Sequence, residues 1–201
     1  HKKIMSHTNQ PLSINFAPIF PSENINLYIF DKCKSDTLGS LVKKHYAEQK
    51  SLQSYAVVLD ASLLFDWRQI TLCALQVFRE RNTPSKTHPN FPTLASEFVY
   101  YLSGGSRNMK QNWKAFGIQP NSTQCIVVVF PSLMKDATHN TQLVETLIEK
   151  IPGTSTPSLP NSDQLTPNTI TQLRKIYKLS AIEISNHSNI IKSILNRIAM
   201  S

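Results

Sequence analysis

The stretch Cys125-Ile126-Val127-Val128-Val129-Phe130 is apolar throughout and rich in β-branched residues, and it decides the fold. A second stretch of the same kind, Tyr55-Ala56-Val57-Val58-Leu59-Asp60, lies earlier in the chain. Because neither run alternates between polar and apolar residues, both predict central strands of a sheet that is covered on both faces. The segment Ile25-Asn26-Leu27-Tyr28-Ile29-Phe30 predicts a third strand.

Helical patterns with a period near 3.6 residues lie between and after these strands. In chain order they cover residues 38–46, 64–81, 94–102, 108–116, 143–151 and 169–178, and a final helix ends the chain. Strands interspersed with helices predict an α/β or α+β fold. We expect a single domain in which a central β-sheet is flanked by several α-helices, and the pattern leaves the strand order open.

The chain has 201 residues, which is long enough for one domain with a substantial core. We divide it into an N-terminal extension, residues 1–20, and one domain, residues 21–201, and we expect the native start at Met5. Within the domain, residues 152–168 contain four prolines together with Ser, Thr and Asn. This composition predicts a surface loop.

The chain is basic, with a net charge of +8 and a pI near 9.5. About half of the excess lies in residues 169–201, where five basic residues and one acid give a net charge of +4. Such an excess is common in ordinary intracellular proteins, but it also suits an anionic partner such as nucleic acid, an acidic protein face or a membrane surface. No apolar run approaches the length that spans a bilayer, so no membrane association is expected.

The chain has no recognisable catalytic or metal-binding motif. Its three cysteines, Cys33, Cys73 and Cys125, are widely spaced, which favours free thiols in a reducing compartment over a disulfide framework or a zinc site. Two weak catalytic candidates are Cys125 as a nucleophile and residues 103–106, Ser-Gly-Gly-Ser, as a phosphate-binding loop. A core cysteine and a turn between helices are the favoured interpretations, so we expect no enzymatic activity, metal or cofactor.

Two segments near the end of the chain point to surfaces instead. In Leu173-Arg174-Lys175-Ile176-Tyr177-Lys178-Leu179-Ser180 the apolar residues fall on one side of a helix and the cations on another. The cations are either solvated or in contact with phosphates. The final helix carries an aliphatic stripe that must be covered, by the chain's own sheet or by a partner: Ile190, Ile191, Ile194, Leu195 and Ile198.

The basic segment and the aliphatic final helix together resemble the end of the PRPK-binding (TPRKB-like, CGI family) subunit of the KEOPS/EKC complex. Residues 101–104, Tyr-Leu-Ser-Gly, followed by Asn108-Met109 and by residues 114–118, Lys-Ala-Phe-Gly-Ile, resemble a second segment of that family. Met109 stands where the family usually has isoleucine, and residues 86–92 replace a segment that often contains arginines. The resemblance runs from about Leu27 to Met200.

The resemblance implies a small non-catalytic subunit that binds the N-terminal lobe of the PRPK-type kinase/ATPase and, through it, meets the other KEOPS subunits. That complex makes threonylcarbamoyladenosine (t6A) next to the anticodon of tRNAs, and another subunit is the transferase. Archaeal relatives are thought to hold the tRNA 3′ end, and fungal relatives are linked to telomere maintenance. The implied fold is an α/β sandwich, and the expected location is the cytoplasm and nucleus.

Carried onto this sequence, the resemblance suggests that the aliphatic stripe binds the kinase. Ile194→Glu is then expected to abolish kinase binding without unfolding the chain. The cations expected near tRNA phosphates are Arg174, Lys175, Lys178, Arg107 and Lys114. The alternative is a free-standing basic RNA-binding module that ignores the kinase, although the low aromatic content, 8%, and the lack of an aromatic strand pattern argue against it.

Overall fold

The computed structural model describes residues 10–17, 19–84, 88–159 and 165–201. The strands in this part of the chain are β1 (Leu12–Asn15), β2 (Asn24–Asp31), β3 (Ala56–Asp60), β4 (Cys125–Val129) and β5 (Thr154–Thr156). The α-helices are α1 (Ser35–Glu48), α2 (Trp67–Asn82), α3 (Leu94–Leu102), α4 (Met109–Phe116), α5 (Ala137–Lys150), α6 (Pro167–Tyr177) and α7 (His187–Ala199). The predicted α+β class, with a central sheet and a C-terminal helix, is confirmed.

The strands form one antiparallel sheet in the order β1-β2-β4-β3. Strand β4 is central, as predicted, and its residue Val128 lies opposite both Leu27 and Val57. The other edge of β2 is shared, because β1 pairs with its first half and β5 with its last residues. The two short strands thus complete the hydrogen bonding of one long strand.

Strand β3 lies at the edge of the sheet order, although its apolar sequence predicted a central position. All five of its residues are nevertheless buried. The N–H of Val58 donates to the hydroxyl of Tyr46 at 3.0 Å, and this hydroxyl donates to the carbonyl of Ala56 at 3.3 Å. Helix α1 therefore supplies partners for the open edge, which explains how an edge strand is so apolar.

Alternate residues of β4 belong to two cores on opposite faces of the sheet. Ile126 and Val128 pack in the core that contains residues of α2, α3, α4, α6 and α7. Val127 and Val129 pack in the core that contains residues of α1 and α5. The domain thus has three layers, with two helices on one face of the sheet and five on the other.

Helix α2 begins later than the predicted residue 64 because Asp66 caps it. The Asp66 carboxylate accepts the N–H of Arg68 at 2.8 Å, and the side chain of Gln69 accepts the N–H of Asp66 at 3.1 Å. This reciprocal arrangement is a capping box. Leu64 precedes the cap in a turn, where its N–H donates to the carbonyl of Ala61.

Two segments in which no strand was predicted contribute strands to the sheet. Residues 12–15, placed in the N-terminal extension, form β1, and residues 154–156, placed in the 152–168 loop, form β5. Both pair with the edge of β2 that would otherwise carry open hydrogen-bonding groups.

Met5 and residues 160–164 lie outside the described residues. Within the described part, no helix has the length and apolar content needed to cross a bilayer.

Candidate functional site

The aliphatic stripe of α7 is part of the chain's own core. Ile194 has no exposed surface, and even the least buried member, Leu195, is only 9% exposed. Gln76 of α2 donates from Nε2 to the carbonyls of Ile198 and Ala199, at 3.2 and 2.8 Å, which holds the two helices together. A direct contact of the stripe with a kinase stays a prediction, but its side chains are not available for one in this structure.

This burial corrects the expectation that Ile194→Glu leaves the chain folded. The substitution would place a carboxylate where the side chain is completely enclosed by the core. Burying such a group without a partner costs several kcal/mol. We therefore expect Ile194→Glu to unfold the domain, so a loss of kinase binding by that variant would not locate the contact.

The buried stripe ends in exposed apolar residues at the C-terminal end of α7. Ile191, Leu195 and Ala199 recur every four residues of α7, and their exposure increases along this row until Ala199 is open to solvent. Met200, the residue after the helix, is 88% exposed. Because Ile191 and Leu195 belong to the buried stripe, only the two residues at the end of the row are exposed, and we call Ala199 and Met200 the α7 margin.

A basic cleft lies where the turn between α3 and α4 meets the ends of α6 and α7. Its volume is about 490 Å³. We call it the basic cleft and define it by its lining: residues 103–107, residues 176–178 and Arg197. Three of these residues are cations, namely Arg107, Lys178 and Arg197. Lys178 caps α6 in the left-handed conformation, with φ of +52°.

The glycine turn brings the α3 end of the cleft against α7. Gly104 and Gly105 both have positive φ, +70° and +78°, which favours glycine at these positions. A Cβ at Gly104 would lie only 3.1 Å from the Cβ of Arg197. The two glycine N–H groups donate to the carbonyls of Tyr101 and Tyr100 and so close helix α3. Since these donors are used, the segment is the predicted turn between helices and not a phosphate-binding loop.

Two side-chain contacts hold the cleft together. The hydroxyl of Tyr177, on α6, donates to the carbonyl of Leu102 at the end of α3. Arg197 donates from Nη1 to Oε1 of Glu183 at 2.7 Å. This ion pair, helped by the N–H of Ser180, lowers the pKa of Glu183 to about 2. Arg197 therefore has its own counterion, Glu183, unlike the other two cations of the cleft within the described residues.

The structure brings together only part of the predicted set of cations. All five are exposed, but only Arg107 and Lys178 line the cleft. Arg174 and Lys175 lie in the last turn of α6, and Lys114 lies in the last turn of α4, outside this lining. Sequence reasoning missed Arg197 as a site residue. Helical spacing places Arg197 beside Ile190, at i+7, but does not reveal that this side of α7 meets the glycine turn.

Cys125 and Ser103, which belong to the two catalytic candidates, are both engaged in hydrogen bonds within the domain. The Cys125 thiol is buried 4.0 Å from the Sγ of Cys33, and its pKa is raised by that hydrogen bond and by burial. Ser103 donates its hydroxyl to the carbonyl of Tyr100 at 2.7 Å. The three cysteines are free, as predicted. Among the described residues, no group of His, Cys, Asp or Glu side chains is arranged to hold a metal ion.

Comparison with protein families gives a match that covers most of the chain. The model described as "Kinase binding protein CGI-121" matches residues 36–201. The matched part includes the whole basic cleft and the whole α7 margin. A comparison with curated proteins gives no match.

The ion pair at the cleft predicts a pH-dependent effect of Glu183→Gln. Because folding lowers the pKa of Glu183 to about 2, the pair stabilises the domain above pH 4.5, the ordinary pKa of a glutamate, and this contribution is lost as the pH falls toward 2. Glu183→Gln should therefore destabilise the domain at pH 7 and have little effect near pH 2. Urea unfolding at both pH values measures this difference.

The matched control is Glu149→Gln, which removes an exposed carboxylate that has no ion pair within the described part of the chain. It should change the free energy of unfolding little at either pH. An equal effect of Glu183→Gln at pH 7 and near pH 2 would show that the ion pair does not contribute to stability.

Proposed function

Because the chain belongs to the CGI-121 family of kinase binding proteins, we propose that it is the non-catalytic subunit of a KEOPS/EKC complex. In this proposal it binds and stimulates the PRPK-type kinase/ATPase and helps to recruit tRNA for t6A modification. The family match over residues 36–201 is the observation that carries the proposal. The resemblance extends the proposal in three ways. The chain would contact the other KEOPS subunits through the kinase, and it would act in the cytoplasm and nucleus. It would also have a role in telomere maintenance.

The kinase docks on the α7 margin in this proposal. Because the aliphatic stripe is buried, the contact needs apolar residues that are both exposed and supported by the core. Ala199 and Met200 are exposed, and the Ala199 carbonyl accepts a hydrogen bond from Gln76 of α2. Exposed apolar side chains beside a well-packed core can form the centre of an interface.

The double variant Ala199→Glu/Met200→Glu tests this docking site. Two carboxylates at the centre of an apolar contact should weaken kinase binding by at least about tenfold. The domain should remain folded because both side chains are exposed. The measurement is a pull-down with the PRPK-type kinase of the same host, with circular dichroism of each variant as the test of folding.

The matched control for this experiment is Ile19→Glu. Ile19 is an exposed aliphatic residue, 67% accessible, in the connection between β1 and β2. This variant should bind the kinase as the wild type does. Full binding by the double variant would place the contact elsewhere. A folded wild type that binds tRNA but no kinase would contradict the proposal and favour the free-standing RNA-binding module.

The basic cleft is the proposed site for tRNA. Arg107 and Lys178 are exposed, and within the described residues neither has a carboxylate partner within 4.0 Å. Both cations are therefore free to contact phosphates. The cleft volume of about 490 Å³ lies in the range of pockets that enclose small ligands. A single-stranded end of tRNA suits such a cleft better than a duplex.

The paired variants Arg107→Glu/Lys178→Glu and Lys114→Glu/Lys175→Glu test this site. They change the net charge equally, but only the first pair lines the cleft. The first should weaken tRNA binding at low salt by more than about tenfold and reduce the log–log salt dependence by about 1.4, since each lost phosphate contact on a single strand contributes about 0.7. The second should have less than a threefold effect, measured by fluorescence anisotropy with labelled tRNA.

Equal weakening by both pairs would mean that tRNA senses the net charge of this end of the domain and not the cleft. Unchanged affinity in both variants at low salt would contradict a role for these cations in tRNA binding. Either result leaves the kinase experiment unaffected, because none of the four substituted residues belongs to the α7 margin.

A further inference from the structure

A second basic surface lies on the face of the sheet opposite the basic cleft. Helices α1 and α5 cover this face, and a groove of about 450 Å³ opens between the first part of α1 and the end of α5. We call it the lysine groove and define it by its lining: Lys34, Thr37, Ser40, Leu41, Lys44, Lys150 and Pro152.

The groove lining carries three positive charges and no negative charge. Lys44 lies 3.8 Å from Glu48, and both side chains are well exposed. Within the described part of the chain, Lys34 and Lys150 have no carboxylate partner within 4.0 Å. Exposed ion pairs of the Lys44 type stabilise little, so all three ammonium groups remain available to a partner.

The walls of the lysine groove are fixed in place. The N–H of Lys34 donates to the carbonyl of Pro152 at 2.9 Å and so joins the start of α1 to the residues that follow α5. The hydroxyls of Thr37 and Ser40 donate to carbonyls of the same helical turn. Leu41 and Pro152 add apolar surface between the lysines. A partner therefore meets a preformed groove whose lining combines apolar and basic side chains.

We propose that the lysine groove binds an acidic segment of a partner protein in which carboxylates flank an apolar side chain. The carboxylates pair with Lys34, Lys44 and Lys150, and the apolar side chain packs on Leu41 and on the aliphatic stems of the lysines. RNA suits the groove less well because no aromatic ring lines it, and single-stranded nucleic acid binds through stacking on such rings.

A peptide bound in the lysine groove would leave the basic cleft and the α7 margin free. Its lining residues come from α1 and from the end of α5, whereas the basic cleft and the α7 margin are built from α6, α7 and the α3–α4 turn. The acidic segment is therefore a third contact, in addition to the kinase and tRNA. Failure of this proposal would leave the kinase and tRNA proposals intact.

Binding of a labelled synthetic peptide, Glu-Asp-Glu-Leu-Leu-Glu-Asp-Glu, to the full chain tests the proposal by fluorescence anisotropy. The wild type should bind this peptide, and Lys34→Glu/Lys150→Glu should weaken binding by more than about tenfold through charge repulsion. The matched control Lys110→Glu/Lys192→Glu changes the same net charge at two exposed lysines outside the groove and should change affinity by less than about threefold. Pull-down with the kinase should be unchanged in the groove variant.

Three results would overturn the proposal. These are no binding of the peptide by the wild type, equal weakening by the two charge-matched pairs, or equal binding of a peptide in which Gln and Asn replace Glu and Asp. Tighter binding of an oligouridylate of equal charge, lost in the groove variant, would assign the groove to RNA. If circular dichroism shows that Lys34→Glu/Lys150→Glu does not fold, Lys44→Gln/Lys150→Gln replaces it, with a smaller expected loss of about threefold or more.

Discussion

Strand β4 must be covered on both faces, and this requirement determines the arrangement of the helices. Its residues alternate between two cores, one closed by α1 and α5 and the other by five helices that include α7. The aliphatic stripe of α7 is used to complete the second core. Strand β4 pairs with a strand on each side and is covered by helices on both faces, so it gives the domain its three layers. The helices that cover β4 use their apolar residues in the two cores, and only the remaining apolar residues are exposed to partners.

The surfaces left for binding lie at the margins of this packing. The α7 margin is the exposed end of a helix whose aliphatic stripe is core. The basic cleft forms where helix ends converge, and it depends on Gly104 lying close to Arg197 and on the bond from Tyr177 to Leu102. These contacts join residues far apart in the sequence, so the positions of the cations around the cleft depend on the same interactions that stabilise the domain. Binding in this account needs little rearrangement of the chain.

The sequence predicts well the elements whose pattern directly reports burial. The apolar runs of β3 and β4 and the period of each helix predict that these elements exist, but not all of their bounds, since α2 begins after the predicted residue 64 and α5 begins before the predicted residue 143. The position of β3 at the edge was not predictable, because Tyr46 of α1 protects it through a long-range contact. Strands β1 and β5 are short and mostly polar or exposed, and they form because β2 needs partners on its open edge.

The sites were predictable only in part, because they depend on contacts between distant residues. The spacing of the basic residues indicated Lys178, and the resemblance added Arg107, but their meeting with Arg197 requires the folded α3–α4 turn. The stripe of α7 shows why a pattern is insufficient. A row of aliphatic residues must be covered, yet the pattern does not distinguish cover by the chain's own sheet from cover by a partner.

Hydrogen–deuterium exchange of the chain with and without the PRPK-type kinase tests the central claim, that the kinase docks on the α7 margin. The backbone N–H groups of Met200 and Ser201 bond to carbonyls in the last turn of α7, at 3.1 and 3.4 Å, and such helix ends open readily. The account predicts that the kinase slows exchange at these amides and leaves the lysine groove unchanged. Unchanged exchange at the end of α7 in a formed complex would contradict it.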